Sequence, residues 1–238
     1  GINFLDDARY DDKTGTLPLK TGYSEVLFGR LLRQIGVRRA DLVIGNKLWF
    51  EFFPRESIEA ELDGSLGRLE MDYLDIEYCV PPPDSLPVAE MILALDRLIA
   101  SGKLRAWGVL NWPVEKLEEA VRAAKANGLQ GPSAAQLAYS ALTRSPVEDE
   151  RMVRVCQDGG VAIVSSYSLA GGLLSGKYRN AEGAAGGRLA AQPDPALRDG
   201  AERCDRARRS RRLAVRPDLA RVHAHPPPRH DVGAAHVL

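Results

Sequence analysis

The 238-residue sequence contains no apolar run long enough to cross a bilayer. A membrane-spanning helix needs about 20 consecutive apolar residues, and the N-terminus also lacks the basic segment followed by an apolar stretch that marks a secretory signal. Net charge is absent as well, because 32 Lys and Arg balance 32 Asp and Glu. A polyanionic partner is therefore not indicated, and we expect neither a membrane nor a nucleic acid as a partner.

Cysteine and histidine are both scarce. The three cysteines, Cys79, Cys156 and Cys204, show no CxxC spacing and leave one unpaired in any disulfide scheme. A disulfide framework is thereby disfavoured, and a reducing, cytoplasmic compartment is predicted. All four histidines lie within residues 223–236, without Cys or carboxylate partners at ligand spacing, so no metal site is predicted.

What the sequence does have is an alternation of short apolar runs with longer amphipathic ones, up to about Tyr178. This alternation predicts βα units around a parallel sheet. The candidate strands are residues 2–6, 42–46, 74–80, 106–110, 134–137 and 162–166. The candidate helices are residues 24–35, 56–71, 88–101, 113–127 and 149–158. Strand spacing alone suits either a (β/α)8 barrel or a doubly wound sheet.

Glycine, proline and serine mark the expected ends of several helices. Ser24 and Pro113 are credible first residues of helices, whereas Gly102, Gly128 and Gly159 stand where helices should stop. These local signals support the same division into helices and strands.

The last part of the chain differs in composition from the rest. Residues 179–201 are rich in Ala and Gly, residues 206–212 form an Arg-rich cluster, and three prolines follow at 226–228. This composition predicts disorder, so we divide the chain into a folded part, residues 1–178, and an atypical tail, residues 179–238. The Arg cluster has no interleaved aromatic residues on which bases could stack, which disfavours a nucleic-acid site.

Seven sequence blocks occur in a fixed order within residues 1–178. They are GINFLDDA (1–8), GYSE (22–25), IGNK (44–47), SLGRL with DYLD (65–69 and 72–75), GKLRAWGVLN (102–111), QLAY (136–139) and LAGGLLSGKY (169–178). This series resembles the aldo-keto reductase family. The resemblance implies a TIM barrel, NADPH as hydride donor, and reduction of an aldehyde or ketone. Counted against the family, strands two to seven are present and strands one and eight are missing, so we expect a partial (β/α)8 TIM barrel.

The family reduces carbonyl groups with a Tyr, a Lys and an Asp, and the matching positions are Tyr10, Lys47 and Asp6. Hydride delivery leaves negative charge on oxygen, which requires a proton donor and a positive field nearby. A buried Lys needs a counter-ion, which Asp6 would supply. Tyr10 lies four residues after Asp6, where the family has five and this chain has Asp11; a one-residue loop deletion would still bring Tyr10 to the site.

The resemblance also implies a set of cofactor-binding residues. Asn111 and Gln136 match amides that bind the nicotinamide carboxamide, to which an amide offers both a donor and an acceptor. An ungapped alignment puts Ser166 at the ring-stacking position and one gap puts Tyr167 there; we favour Tyr167 because it restores the aromatic ring. Beside the pyrophosphate, backbone N–H groups and one cation would come from Ser168, Leu169, Gly171 and Lys177.

Val80 occupies the family's fourth catalytic position, which is usually a His. Because Val neither donates a hydrogen bond nor titrates, another group would have to orient the carbonyl. Potassium-channel beta subunits also lack this His and are poor reductases. Three interpretations stay open: an NADPH-dependent reductase of a small carbonyl substrate with impaired activity, a nucleotide-binding regulatory subunit, or an inactive fragment. The oligomeric state is open too.

Three expectations concern the ends of the chain. The start at GINF, without Met, suggests a start inside a fold. Residues 227–231, shifted by one base under GC-rich codons, can encode Pro-Arg-Val-Thr-Thr, similar to a family segment near strand eight, so a shifted reading frame is one hypothesis for the tail. Strands two to seven alone would leave two open sheet edges, which predicts low stability and aggregation unless a partner or tail residues cover those edges.

Overall fold

The computed structural model describes residues 1–176. Six parallel strands form one sheet, and strands that are neighbours in the sheet are also neighbours in the chain. They are β1 (Phe4–Asp6), β2 (Val43–Leu48), β3 (Leu74–Cys79), β4 (Leu104–Leu110), β5 (Ala134–Ala138) and β6 (Ala162–Ser166). A doubly wound sheet reverses its strand order at a switch point, whereas this order runs straight from β1 to β6, as in a barrel.

Helices connect the strands and form a second layer. They are α1 (Tyr23–Ile35), α2 (Ile58–Leu69), α3 (Val88–Ala100), α4 (Val114–Asn127) and α5 (Glu150–Gly159), with short 3₁₀ segments at Arg39–Asp41 and Ala170–Ser175. Each α-helix contacts the next one along the chain. The main apolar core, which includes Leu62, Leu95 and Trp107, is formed by buried residues of the sheet and the helix layer.

Most helix ends follow the local signals in the sequence. Pro113 precedes α4, and left-handed Gly128 and Gly160 end α4 and α5. The expected start at Ser24 is wrong, because α1 begins one residue earlier, after a left-handed Gly22. The Ser24 hydroxyl instead donates a 2.6 Å hydrogen bond to the Ala8 carbonyl, so it ties the loop after β1 to the first turn of α1.

The sheet is strongly curled. Gln136 on β5 donates a 3.1 Å hydrogen bond from Nε2 to Oδ2 of Asp6 on β1, although four strand steps separate β1 from β5. In a flat sheet, steps of about 4.8 Å would hold these strands roughly 19 Å apart. The contact therefore requires the sheet to bend into a trough, and the described chain forms a curled half-barrel.

Glycine makes room for a large side chain inside this trough. The buried Tyr78 ring on β3 faces Gly45 on β2 and Gly108 on β4, where an added Cβ would lie 3.2 Å and 3.0 Å from ring carbons. Ile76, Leu110 and Ala134 complete the small apolar cluster with Tyr78. The concave face is thus filled by side chains, as expected for a barrel interior.

The architecture confirms the predicted α/β class with a parallel, barrel-like sheet. The identification of these strands as two to seven of a complete barrel stays a prediction. Several predicted boundaries shift; among them, β2 continues past Asn46 to Leu48, and β4 begins earlier, at Leu104. The predicted disordered tail, residues 179–238, and Lys177 lie outside the described residues.

Candidate active site

Lys47 is buried near the carboxyl end of β2. Its side chain is 5% exposed, and its ammonium lies 2.5 Å from Oδ1 of Asp6 at the end of β1. The ammonium also donates a hydrogen bond to the Asp7 carbonyl at 3.1 Å. A buried ammonium is costly unless it is paired and hydrogen-bonded, and both conditions are met here. Asp6 and Lys47 therefore meet as expected, at the strand ends where barrel enzymes place their active sites.

Tyr78 lies beside this pair. The Lys47 ammonium is 5.0 Å from the centre of the Tyr78 ring, a distance at which the ring face attracts a cation. Burial and the Asp6 carboxylate raise the pKa of Tyr78 to about 12, so its hydroxyl is neutral at physiological pH. The sequence interpretation did not single out Tyr78, although strand alternation places it on the same face as Ile76.

Asp7 adds a second carboxyl group near the pair. Burial raises the pKa of Asp7 to about 6, helped by the charges of Glu25 and Asp6, while the Ala8 N–H and the Lys47 ammonium act in the opposite direction. The protonation of Asp7 therefore changes close to neutral pH. This group was not predicted from the sequence.

Tyr10 lies in the loop after β1 and is 60% exposed. Its ring centre is 6.5 Å from that of Trp49, the residue that follows β2, and its backbone N–H donates to the Ser24 hydroxyl at 3.3 Å. The loop thus holds Tyr10 at the same end of the sheet as Asp6. Its assignment as proton donor stays a prediction.

Val80 presents an apolar, partly buried side chain directly after β3. Its backbone N–H donates to the Leu48 carbonyl at 3.1 Å. Trp112, at the end of the next strand, is 2% exposed and donates from its indole nitrogen to the Cys79 carbonyl at 2.8 Å. Trp112 therefore packs against the sheet, and a His-like hydrogen-bonding group does not occur at position 80.

Of the two predicted carboxamide-binding residues, Asn111 directly follows β4 and Gln136 is the central residue of the adjacent β5. Asn111 is exposed after β4 and adopts a left-handed backbone with φ of 53°, which Asn tolerates better than most residues. Its backbone N–H donates to the Gln136 carbonyl at 3.0 Å. Gln136 itself is 7% exposed, and its amide nitrogen is engaged by Asp6.

The other predicted cofactor residues follow β6 at this same end of the sheet. Tyr167 has a left-handed backbone, and both Tyr167 and Leu169 expose more than half of their surface, 54% and 58%. The Ser168 hydroxyl lies 3.2 Å from the Ser165 hydroxyl. Gly171, with φ of 65°, belongs to the 3₁₀ segment that begins at Ala170. The segment after β6 therefore contains all four of these residues, Tyr167, Ser168, Leu169 and Gly171. Their roles in cofactor binding stay predictions.

A buried polar contact fixes α1 against β2 behind the site. Glu25 on α1 is fully buried and accepts hydrogen bonds from Asn46 Nδ2 at 2.7 Å and from Arg68 Nε at 2.5 Å. The sequence interpretation did not predict this contact, although an Asn inside an apolar strand signals a buried partner. Because Asn46 directly precedes Lys47, the contact also holds the segment that carries the lysine.

A family comparison places the chain among known proteins. The profile of the Aldo/keto reductase family matches residues 1–214. The chain belongs to this family. The resemblance seen in the sequence blocks is thereby confirmed.

Curated relatives of the chain include probable voltage-gated potassium channel beta subunits. Those of Oryza sativa subsp. japonica and Arabidopsis thaliana are each 32% identical over 185 residues, covering 75% of this chain and 54% of the relative. A putative subunit of the same kind from Schizosaccharomyces pombe is 30% identical, covering 76% and 52%. The chain therefore spans about half the length of these relatives.

Solved structures show the same fold. An aldo/keto reductase from Klebsiella pneumoniae, crystallised with NADP and acetate, matches with a TM-score of 0.59 and 22% identity, covering 83% of this chain and 64% of that one. A putative 2,5-diketo-D-gluconic acid reductase B matches with a TM-score of 0.58 and 23% identity, covering 74% and 58%. A thermostable aldo-keto reductase in complex with the inhibitor epalrestat has a TM-score of 0.53 at 29% identity, covering 60% and 50%.

Residues 1–176 contain neither a candidate membrane span nor a candidate metal centre. No helix there has the length and apolar character needed to cross a membrane. No group of three or more His, Cys, Asp or Glu in that range is arranged to hold a metal ion.

Proposed function

We propose that this chain carries the catalytic centre for NADPH-dependent reduction of a small aldehyde or ketone. The supporting observation is the buried Lys47 ammonium, paired with Asp6 at the carboxyl end of the curled sheet. Family membership supports the choice of a nicotinamide cofactor. A buried, neutralised cation at this end of a barrel is suited to chemistry that develops negative charge on a substrate.

Three residues of the chain would have separate roles in this reduction. When bound, NADPH supplies a hydride to the carbonyl carbon. The Lys47 ammonium provides the positive field for the charge that develops on the carbonyl oxygen, and Tyr10 donates a proton to that oxygen. The same ammonium favours the tyrosinate that proton donation leaves behind, and Asp6 keeps Lys47 charged in its buried position.

The donor and acceptor groups at the strand ends fit a nicotinamide dinucleotide. Asn111 and Gln136 offer amides for the carboxamide, and we assign the half-exposed Tyr167 ring to stacking on the nicotinamide. We assign the pyrophosphate to the backbone after β6 and to one cation, with contributions from Ser168, Leu169, Gly171 and Lys177.

A second function, nucleotide binding by a regulatory subunit without turnover, is favoured by two observations. Val80 places an apolar side chain where a carbonyl-orienting group would be needed. The curated relatives at 30–32% identity bear the name of potassium channel beta subunits. In this case the same cofactor contacts would serve to sense the nucleotide.

Two measurements separate these functions. Fluorescence titration with NADPH tests binding, and steady-state reduction of an aromatic aldehyde tests turnover. Binding with turnover supports the reductase, binding without turnover supports the regulatory subunit, and the absence of binding contradicts both.

The variant Lys47→Met tests the supporting observation directly. We expect it to lower kcat by about a hundredfold or more, because a charge-stabilising group of this kind contributes roughly 3–4 kcal/mol to transition-state stabilisation. The matched control is Lys125→Met on the exposed face of α4, which should keep wild-type kcat. Wild-type turnover by a folded Lys47→Met protein would contradict the proposal.

A further inference from the structure

The two oxygens of the Asp6 carboxylate have different partners. Oδ1 lies 2.5 Å from the Lys47 ammonium, and Oδ2 accepts a 3.1 Å hydrogen bond from Nε2 of Gln136. Lys47 and Gln136 are both buried, whereas a third of the Asp6 side chain is exposed. The carboxylate is therefore held between two buried groups that reach it from different strands.

We propose that Gln136 is a positioning residue that holds the Asp6 carboxylate against the Lys47 ammonium. The inference rests on the proposed function of Lys47 and Asp6. It gives Gln136 a task besides the cofactor contact implied by family resemblance, since its amide nitrogen already has a partner in Asp6.

The position of Asp6 explains why its carboxylate needs a second hydrogen-bond partner. Asp6 ends a three-residue strand that pairs only with β2 among the described strands. A carboxylate on so short an edge strand has rotamers that would turn it into solvent. If it turned away, Lys47 would be left as a buried charge without a counter-ion, which is strongly unfavourable.

Gln136 is well placed to fix the Asp6 carboxylate by a hydrogen bond. It lies on β5, which pairs with β4 on one side and with β6 on the other, so its backbone is fixed by two neighbours. An amide donates to a carboxylate without adding charge. A Glu at this position would instead place a second carboxylate next to Asp6 and compete with it for Lys47.

The fixed amide also has a consequence for the cofactor. Because one N–H of Nε2 is directed at Asp6, Gln136 keeps its oxygen, an acceptor, and a second N–H for a bound carboxamide. The carboxamide would then donate from its NH2 group to the Gln136 oxygen. The orientation of the amide, and not only its presence, is set by the contact across the trough.

The first test separates positioning from cofactor contact. Gln136→Met keeps the length of the side chain and removes both the amide donor and the amide oxygen. It should lower kcat by about tenfold to a hundredfold, the effect of losing a charge-assisted hydrogen bond. The Kd for NADPH, measured by fluorescence, should rise by less, about fivefold, the effect of losing one neutral hydrogen bond to the cofactor. Gln157→Met, on an exposed position of α5, is the control and should change neither value.

The opposite pattern would overturn the proposal. If Gln136→Met weakens NADPH binding strongly and leaves kcat unchanged, Gln136 is a cofactor ligand only. Gln136→Glu, which keeps the side-chain shape and replaces the donor with a charged acceptor, serves as a second variant. Wild-type kcat in either folded variant would also refute the positioning role.

A second test does not depend on turnover. Urea unfolding of Gln136→Met should show an unfolding equilibrium constant about tenfold higher than that of the wild type, and this effect should largely disappear in an Asp6→Ala background. Equal effects in both backgrounds would mean that Gln136 does not act on Asp6. A wild-type chain without turnover would refute the proposed function. The comparison of Gln136→Met in the wild-type and Asp6→Ala backgrounds, a double-mutant cycle, would still show whether Asp6 and Gln136 are coupled.

Discussion

Glu77 is a carboxyl group in the interior rather than at the surface. It is 1% exposed, and among residues 1–176 neither of its carboxyl oxygens has a hydrogen-bond partner. Burial raises the pKa of Glu77 well above its usual value, and the charges of Glu25 and Glu61 add to this, while Lys47 opposes it. The folded structure therefore favours the protonated form of Glu77.

This buried acid makes stability depend on pH in a predictable direction. Because the folded state binds the Glu77 proton more tightly than the unfolded state, the stabilisation is complete below the ordinary pKa of 4.5 and is lost as pH rises toward the folded value. Glu77→Gln removes this titration. Its free energy of unfolding should therefore improve relative to the wild type above pH 4.5, by at most about 1.4 kcal/mol per pH unit.

Urea unfolding at several pH values between 4.5 and 8 measures this difference. Glu119→Gln, on the exposed face of α4, provides the control and should follow the wild-type pH dependence. Parallel curves for Glu77→Gln and the wild type would mean that Glu77 does not titrate as described.

At the scale of elements, α1 and α2 approach each other through one glycine. A Cβ at Gly29 in α1 would lie 2.1 Å from the Leu69 carbonyl oxygen at the end of α2. Because this oxygen belongs to the backbone, it cannot move aside as the end of a flexible side chain could. The close approach brings Glu25 of α1 within reach of Arg68 of α2. The helix pair that supports β2 and Lys47 therefore depends on the absence of a side chain at this position.

Gly29→Ala should consequently destabilise the fold, even though Ala favours helices. Overpacking of this kind typically costs about 1–3 kcal/mol. The matched control is Gly67→Ala in α2, which is exposed and has nothing within 4 Å of its added Cβ; it should stabilise by about 0.5–1 kcal/mol. Thermal unfolding of both variants measures the contrast, and a gain in Tm for Gly29→Ala would contradict the packing described.

At the scale of the whole molecule, the sheet ends in two edges. Within residues 1–176, β1 pairs only with β2 and β6 pairs only with β5. Both edge strands carry a partly exposed apolar residue: Ile163 on β6 is 37% exposed, and Phe4 on β1 is 39% exposed. Unpaired strand edges with apolar neighbours are templates for association, so low stability and aggregation stay our prediction unless a partner or tail residues cover these edges.

Ile163→Lys tests that prediction, because a charge on an edge strand opposes edge-to-edge pairing. Light scattering at increasing protein concentration should show less association for this variant. Val153→Lys on α5 removes an equally exposed apolar side chain, 38%, away from the edges, and should have a smaller effect. A cooperative thermal transition of a wild-type monomer at all concentrations would contradict the prediction.

The order and type of the elements could be predicted from the sequence, because they depend on local signals. Apolar periodicity places strands and helices, and left-handed glycines such as Gly128 end helices at short range. Boundaries that depend on distant contacts were less well predicted. The strand β2 was expected to stop before Lys47, yet it continues to Leu48, because Lys47 and Leu48 pair with Tyr78 and Cys79 of β3.

The residue types of the candidate site also follow from the sequence alone, since Asp6, Lys47, Asn111 and Gln136 all lie in recognisable blocks. Their contacts do not. The hydrogen bond between Gln136 and Asp6 joins positions 130 residues apart, and it exists only because the sheet curls enough to bring β5 over β1. The sequence by itself determined which chemical groups are present and on which strands, whereas only the tertiary structure decided which of them meet, because curvature depends on packing across the whole sheet.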